Sequence, residues 1–297
     1  LGRNRAVGAL LERQGARFVA ADLCDPAAAI PLEGADTLFH LAALSAPWGP
    51  ESAFHAANVE ATLRLLERAR AAGVKRFVHV STPSIEARRR DQTAVSGASP
   101  LPPRLATAYA RTKLAGERAV LAAHDGAMHT VALRPRAIIA PHDTALLPRL
   151  LRAADKGAMP LPRGGRALVG QTDARDVVDA LFAAENRSAD AGGRAFNVSG
   201  GTPVQLRDLV GEVFAALGKP VRLIPLPAHL VLGAGALMEQ LARREPVLTR
   251  YAALTLGWSQ TFDLSAARDV LGWFPRHHPF AALRWALAQR AREASHA

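Results

Sequence analysis

Tyr109 and Lys113 stand four residues apart in the stretch TAYARTKLAGE, and Tyr109 is one of only 2 tyrosines among the 297 residues. On a helix, this spacing places both side chains on one face, one turn apart. A phenol with an unperturbed pKa near ~10 exchanges protons poorly at neutral pH, and a neighbouring ammonium lowers that pKa by favouring the phenolate. The pair therefore predicts proton transfer to or from a carbonyl or alcohol oxygen while hydride is transferred at carbon.

A second hydroxyl is supplied by the segment HVSTPS (79–84), which ends an apolar strand and precedes the tyrosine helix. The carboxyl ends of parallel strands form the ligand-binding edge of a sheet. The Tyr-x-x-x-Lys pattern is weak by itself, and this position makes it much more specific. An ordinary exposed helix pair remains the alternative for Tyr109 and Lys113. A strand-end cap remains the alternative for Thr82.

The elements around this motif alternate between apolar strands and amphipathic helices, which is typical of a parallel sheet with helices on both faces. We therefore predict an α/β fold with a doubly wound parallel (Rossmann) sheet. The predicted strands are 16–23, 36–42, 75–81 and 129–135, and the predicted helices are 6–14, 51–72 and 107–124.

Beyond Pro141 the helical patterns dominate, and we expect a smaller, mainly helical, substrate-binding cap over the carboxyl edge of the sheet. The predicted division is a dinucleotide-binding part, 1–139, and a mainly substrate-binding part, 140–297. Residues from about 169 to 200 are expected to return to the Rossmann sheet, because RAFNVSG has the pattern of a strand.

The order of the segments DTLFHLAALS, NVEATLRLLERARAAGVKRFVHVST, YARTK and LRP resembles the extended short-chain dehydrogenase/reductases of the NAD-dependent epimerase/dehydratase superfamily. Within them, the chain is most similar to the 3β-hydroxysteroid dehydrogenase-like branch. That branch includes bacterial reductases of long-chain 2-alkyl-3-ketoacids, whose SAPWGP and STPSI segments are similar. The resemblance extends over nearly the whole chain.

The resemblance implies roles for four residues at the reacting centre. Tyr109 is expected to be the general acid/base, and Lys113 its activator and a ligand of the nicotinamide ribose. Thr82 takes the place of the usual catalytic serine. Asn58, in NVEAT, is expected to fix the hydrogen-bond network of the site, although a polar residue on a solvated helix face remains its alternative.

The resemblance also implies a set of cofactor contacts. Asp22 and Leu23 are expected to flank the adenine, and Pro135 to border the nicotinamide pocket. Leu41, Ala42 and Ala43 are expected to bring the backbone close to the cofactor. Arg3, and with less support Arg5, follows what resembles the second family strand, where an arginine suits a 2′-phosphate and favours NADP(H) over NAD(H). We assign no metal-ligating residues.

No Gly-rich turn between a strand and a helix precedes Ala16, although a dinucleotide-binding sheet opens with one. In HLVLGAGALMEQLA, Gly233 and Gly235 follow an apolar run, but Met238 stands at the third glycine position, and we interpret the segment as a helix. We therefore expect an N-terminally truncated chain that lacks the first strand and the Gly-rich loop. Such a chain should bind NADP(H) poorly and fold marginally, because an interior sheet edge is open.

Composition limits the partners and the compartment. The net charge is +11, but the 37 basic residues are scattered, and the densest cluster, 88–90, has no aromatic residues on which bases could stack. We predict no nucleic-acid partner. No apolar run reaches the ~20 residues of a membrane span. Cys24, the single cysteine, allows no internal disulfide, which favours a reducing cytoplasm.

The leading interpretation is an NADP(H)-dependent oxidoreductase that interconverts a secondary alcohol and a ketone on a small apolar or amphipathic substrate that is lipid-like, steroid-like or a 3-keto acid. A nucleotide-sugar epimerase with retained NAD is an alternative, although Glu86 replaces the tyrosine of the usual Val-Tyr-Gly segment of epimerases. A non-catalytic dinucleotide-binding sensor or scaffold is another alternative, although such proteins often lose the Tyr/Lys pair. A homodimer is expected by analogy alone.

Overall fold

The structure, a computed structural model, describes residues 1–143, 147–155, 157–220 and 222–295. Its strands are β1 (Thr37–His40), β2 (Arg76–Val80), β3 (Gln92–Val95), β4 (His129–Pro135), β5 (Ile138–Ile139), β6 (Ala158–Pro162), β7 (Leu168–Val169), β8 (Thr172–Asp173), β9 (Arg194–Val198), β10 (Val204–Gln205), β11 (Arg222–Leu226) and β12 (Gln260–Phe262). Its helices are α1 (Arg5–Arg13), α2 (Glu51–His55), α3 (Ala61–Ala71), α4 (Ala108–Ala122), α5 (Leu147–Asp155), α6 (Ala174–Asn186), α7 (Ser188–Ala191), α8 (Leu206–Ala216), α9 (Ala228–Leu241), α10 (Arg250–Gly257), α11 (Ser265–Leu271) and α12 (Pro279–Ser295).

The main sheet is parallel, with the strand order β1-β2-β4-β9. Helices cover both of its faces. Phe77 of β2 packs with residues of α3 and α4 on one face, whereas Val78 and Val131 pack with residues of α6 and α11 on the other. Burial on both faces explains why β2 and β4 are nearly continuously apolar. The predicted doubly wound α/β fold is confirmed.

One predicted strand, 16–23, does not form. Ala20 makes only an isolated parallel bridge with Gly2, in which Gly2 N donates to Val19 O and Ala21 N donates to Gly2 O, both at 3.1 Å. The residues of this run are exposed or half-buried. A single bridge does not offset the conformational entropy lost when a strand becomes ordered, because sheet stability comes from several neighbouring cross-strand pairs.

The helix predicted for 51–72 is interrupted in its middle. A π-helical turn, Ala56–Glu60, separates α2 from α3. Such one-turn bulges occur often at functional sites, because they turn side chains away from the positions that a regular helix gives them. The bulge contains Asn58, one of the predicted site residues.

The C-terminal half has a core of its own. Leu150 of α5, Leu209 and Phe214 of α8 and Leu283 of α12 are buried together. β9 lies beside β4 in the main sheet, within the range 169–200 that the sequence assigns to it, while the division into two parts at 139/140 stays a prediction. Across the described ranges, no helix combines the length and the apolar character that a membrane span needs.

Candidate active site

Thr82 lies just beyond the carboxyl end of β2. Its backbone is extended (φ −156°, ψ 140°), and it begins a 3₁₀ helix, Pro83–Glu86. Its hydroxyl accepts a hydrogen bond from Ser84 N at 3.2 Å and donates one to Ser84 Oγ at 3.0 Å. Thr82 therefore caps the 3₁₀ helix. Because the residue is only 5% exposed, its hydroxyl is held at a defined place on the sheet edge.

Tyr109 occupies the first turn of α4. Thr107 caps this helix by accepting from Ala110 N at 3.2 Å, which fixes where the helix begins. The half-buried phenol lies close enough to the side chain of Thr82 for that hydroxyl to act on the pKa of Tyr109. Two hydroxyls from separate elements, a strand end and a helix start, thus meet at one point of the sheet edge.

Lys113 follows one turn later and is only 2% exposed. Its Nζ donates to Val80 O at 2.6 Å and lies 3.3 Å from His79 Nε2. Burial lowers the pKa of Lys113 to about 8, and the charge of Glu117 opposes this shift. An ordinary exposed helix pair is therefore excluded for Lys113.

The expected lowering of the Tyr109 pKa is wrong. Desolvation raises the pKa of Tyr109 instead, the charge of Tyr251 adds to the rise, and the hydrogen bond with Thr82 opposes it. The reason is the direction of the Lys113 side chain, whose ammonium is bonded to the backbone of β2. The phenol is therefore protonated at neutral pH.

Asn58 lies beside this group rather than on a solvated face, since it is 1% exposed. Its Oδ1 accepts from Leu44 N at 2.8 Å, and its Nδ2 donates to Leu44 O and to Thr112 Oγ1, both at 3.1 Å. Asn58 thus ties the loop after β1 to α4. Through its bond to Thr112, the residue next to Lys113, Asn58 helps to position α4.

The predicted cofactor residues occupy two regions. Leu41, Ala42 and Ala43 form an exposed segment directly after β1, and Leu41 is 54% exposed. Pro135 is buried at the end of β4. All of these lie at the carboxyl edge of the sheet, which is where doubly wound α/β folds bind their ligands.

Arg3 and Asp22 lie elsewhere and contact each other. Arg3 NH1 and Asp22 Oδ2 are 3.4 Å apart, and both side chains are exposed. The backbone N–H of Cys24, at 2.9 Å, lowers the pKa of Asp22. Leu23 is half-buried against the cluster around Phe77. Within the described ranges, no hydrogen bond or ion pair joins Arg3 or Asp22 to the tyrosine site.

The sequence interpretation missed Tyr251 of α10. Its ring meets that of Tyr109 edge to face, with centroids 5.9 Å apart, and its hydroxyl lies 3.4 Å from Ser84 Oγ. These two rings are the only tyrosines in the chain. The rarity of tyrosine was the one feature of the sequence that could have pointed to Tyr251. No local pattern links a residue of the C-terminal, substrate-binding part to the helix that carries Tyr109 and Lys113.

The cleft between α10 and this group is narrow. It has a volume of about 10 Å³, room for roughly one water molecule. It is lined by residues of the Thr82 loop, of the start of α4 and of α10, namely Ser84, Ala87, Ala106, Thr107, Ala110, Tyr251, Leu254 and Thr255.

A buried ion cluster supports both reactive elements from behind. Arg134 of β4 donates to both oxygens of Glu117, at 2.8 and 2.6 Å, and to Glu86 Oε1, at 2.7 Å. Glu86 ends the 3₁₀ helix after Thr82, and Glu117 lies one turn after Lys113. Burial raises the pKa of Glu86 to about 7, although the charge of Arg134 opposes the rise.

Residues 1–199 match the family described as the NAD dependent epimerase/dehydratase family. The chain belongs to this family. The match spans the main sheet together with Thr82, Tyr109 and Lys113, so the predicted membership is confirmed.

Several known proteins are similar to almost the whole chain. The 2-alkyl-3-oxoalkanoate reductase of Stenotrophomonas maltophilia is 34% identical over 93% of this chain and 87% of its own. The sterol-4-alpha-carboxylate 3-dehydrogenase, decarboxylating, of Bos taurus is 28% identical over 93% of this chain and 83% of its own. The solved structure of MoeE5 in complex with UDP-glucuronic acid and NAD is 25% identical, with a TM-score of 0.71 over 94% of this chain and 86% of that chain.

Proposed function

We propose that this protein is an oxidoreductase that uses a nicotinamide dinucleotide to interconvert a secondary alcohol and a ketone at Tyr109. The observation that carries the proposal is the meeting of the Tyr109 and Thr82 hydroxyls at the carboxyl edge of a parallel sheet, with Lys113 buried one turn away. Two relatives support it, since one is named a reductase of 3-oxoalkanoates and the other a 3-dehydrogenase of sterol carboxylates.

The residues of the site fit such a cofactor. Ser81 Oγ, beside Thr82, is buried and has no hydrogen-bond partner among the described residues, so a polar ligand group could satisfy it. The exposed segment Leu41, Ala42 and Ala43 leaves backbone open at the sheet edge. Lys113 would hold the nicotinamide ribose, and Pro135 would border the ring. The bound cofactor supplies the hydride.

The protein groups supply the proton. Because the pKa of Tyr109 is raised, the phenol is in the form that donates a proton to the oxygen of a ketone during reduction. Thr82 would donate a second hydrogen bond to the same oxygen by redirecting the hydroxyl proton that it gives to Ser84 Oγ in this structure. The lowered pKa of Lys113, about 8, makes its ammonium a group that can return a proton to the phenolate.

The finer part of the proposal is a preference for NADP(H). It is supported by the exposed guanidinium of Arg3, whose side chain is 73% exposed and makes only a 3.4 Å contact with Asp22, so that it is available to a 2′-phosphate. In a fluorescence titration, the protein should bind NADPH more tightly than NADH, and Arg3→Ser should remove the difference. Equal affinities for both nucleotides before the substitution would contradict the preference.

The two tyrosines offer a matched test of the catalytic assignment. Tyr109→Phe should lower kcat for the reduction of a 2-alkyl-3-oxo acid by roughly 10²–10⁴-fold, because it removes the proton donor. Tyr251→Phe removes the same hydroxyl oxygen from the α10 side of the cleft and should lower kcat by less than about tenfold. Both variants should bind NADPH like the parent protein. A loss for Tyr251→Phe as large as that for Tyr109→Phe would overturn the assignment.

A nucleotide-sugar epimerase remains the second candidate, favoured by the 25% identity to MoeE5, whose structure contains UDP-glucuronic acid and NAD. Glu86 argues against an epimerase, because it stands where epimerases usually have the tyrosine of their Val-Tyr-Gly segment. Its side chain is 2% exposed and bonded to Arg134. Purified protein that retains NAD through turnover of a UDP-sugar would reverse the order of the candidates.

A further inference from the structure

Arg136 directly follows β4, at the carboxyl end of the main sheet. Its N–H donates to Val198 O at 2.9 Å, and its carbonyl oxygen accepts from Thr172 Oγ1 at 2.6 Å. The backbone of Arg136 is therefore fixed, and its side chain starts from the same sheet edge that carries Thr82 and Pro135.

The guanidinium of Arg136 is buried without a countercharge. The residue is 5% exposed, its only side-chain hydrogen bond in the described part of the chain runs from NH2 to Thr255 O at 3.1 Å, and its buried Nε has no partner there. No carboxylate of the described residues forms an ion pair with it. Burial lowers the pKa of Arg136, but a guanidinium stays charged in proteins and offers five N–H donors.

Helix α10 links this cation to the reacting centre. Thr255, which accepts from Arg136, lies one turn after Tyr251, whose carbonyl oxygen accepts from Thr255 Oγ1 at 2.9 Å. Tyr251 in turn packs edge to face on Tyr109 and approaches Ser84. Arg136 and Tyr109 thus contact the same short stretch of α10, one helical turn apart, and the two residues that they contact, Thr255 and Tyr251, both line the narrow cleft.

We propose that Arg136 binds a carboxylate of the substrate, so that the preferred substrate is a 3-oxo or 3-hydroxy acid rather than a neutral ketone or alcohol. A carboxylate supplies the missing countercharge and accepts two parallel N–H bonds from a guanidinium. A buried cation that pairs with an anionic group of the substrate also disfavours binding of a neutral analogue, because the analogue leaves the cation unpaired. The proposal rests on the proposed function for the reaction at Tyr109 and adds the acid group to its substrate.

The test is a calorimetric titration of the full chain with 3-hydroxydodecanoate and with its methyl ester, which differ mainly in charge. The parent protein should bind the acid at least about tenfold more tightly than the ester. Arg136→Met should bind both equally, and Arg136→Lys, which keeps the charge without the fork, should show an intermediate ratio. Equal affinities in the parent protein, or a ratio unchanged in Arg136→Met, would overturn the proposal.

The same variants separate a substrate carboxylate from a nucleotide phosphate. NADPH affinity should be unchanged in Arg136→Met. A tenfold loss of NADPH affinity with an unchanged acid-to-ester ratio would assign the guanidinium to the cofactor and overturn the proposal.

Failure of the proposed function gives a different pattern from failure of this proposal. If the acid binds preferentially but no ketone is reduced, the carboxylate site stands and the oxidoreductase assignment fails. If 3-hydroxydodecanoate and its methyl ester are oxidised by NADP⁺ with equal kcat/KM, the oxidoreductase assignment stands and the role of Arg136 fails. Tyr109→Phe should keep the acid preference in binding while it loses turnover.

Discussion

Arg134 and Arg136 are two buried arginines separated by a single proline, and each is 5% exposed. Arg134 donates three hydrogen bonds to two carboxylates, those of Glu117 and Glu86. Among the described residues, the side chain of Arg136 donates one bond, to the backbone carbonyl of Thr255. The charge of Arg134 is therefore balanced by the chain itself, whereas the charge of Arg136 is not.

This difference separates a structural cation from one that is available to a ligand. Arg134 joins the element that carries Thr82 to the element that carries Tyr109, because its two carboxylate partners belong to these elements. Burial lowers the pKa of Arg134, but the hydrogen bonds and charges of Glu117 and Glu86 outweigh this effect and raise the pKa overall. An unpaired buried charge costs stability, and proteins keep such costs mainly where function requires them.

The largest expected effect is on stability, from replacing each arginine by methionine. Arg134→Met should lower the free energy of unfolding by about 3–5 kcal/mol, because two buried carboxylates lose their cation. Arg136→Met, the matched control at the neighbouring buried site, should cost less than about 1 kcal/mol or stabilise the fold, because it removes an unpaired charge. Urea unfolding of the two variants measures both values. Equal losses would remove the distinction between the two arginines.

A smaller effect concerns the proton on Glu86. Its pKa is raised by burial from an ordinary value of 4.5 to about 7, so the folded chain binds a proton that the unfolded chain releases between these pH values. This contribution to stability is complete below about pH 4.5 and is lost as the pH rises through 7, by roughly 3 kcal/mol in all.

Glu86→Gln isolates that contribution, since glutamine keeps the shape and does not titrate. Urea midpoints measured at pH 5 and pH 8 should fall more for the parent protein than for Glu86→Gln. Parallel pH dependences would show that Glu86 is ionised in the folded state, and then both partners of Arg134 would be carboxylates at neutral pH.

Much of the sheet follows from local sequence. The apolar runs that predict strands at 75–81 and 129–135 form β2 and β4, because burial between two layers of helices requires apolar residues on both faces. The helix carrying Tyr109 is also predictable, since Thr107 is a good N-cap and accepts from Ala110 N in the structure. The run 16–23 fails because strand formation depends on its neighbours.

The polar contacts of the site are not predictable in this way. That Lys113 bonds Val80 O rather than supporting Tyr109 depends on how α4 packs on β2. Tyr251 and Arg136 reach the site through the packing of α10, which no short motif encodes. The absence of a countercharge on Arg136 is a property of the three-dimensional surroundings, since Arg134, two residues earlier, has two.

The narrowness of the cleft below α10 has a consequence for the timing of catalysis. A space of about 10 Å³ holds no more than about one water molecule, so under the proposed function we expect α10 to move away before a substrate reaches Tyr109. The contacts that it breaks when it leaves are those of Tyr251 with Ser84 and of Thr255 with Arg136. Under the proposed function, we therefore expect the rate of turnover to depend on how often this helix opens, as well as on hydride transfer.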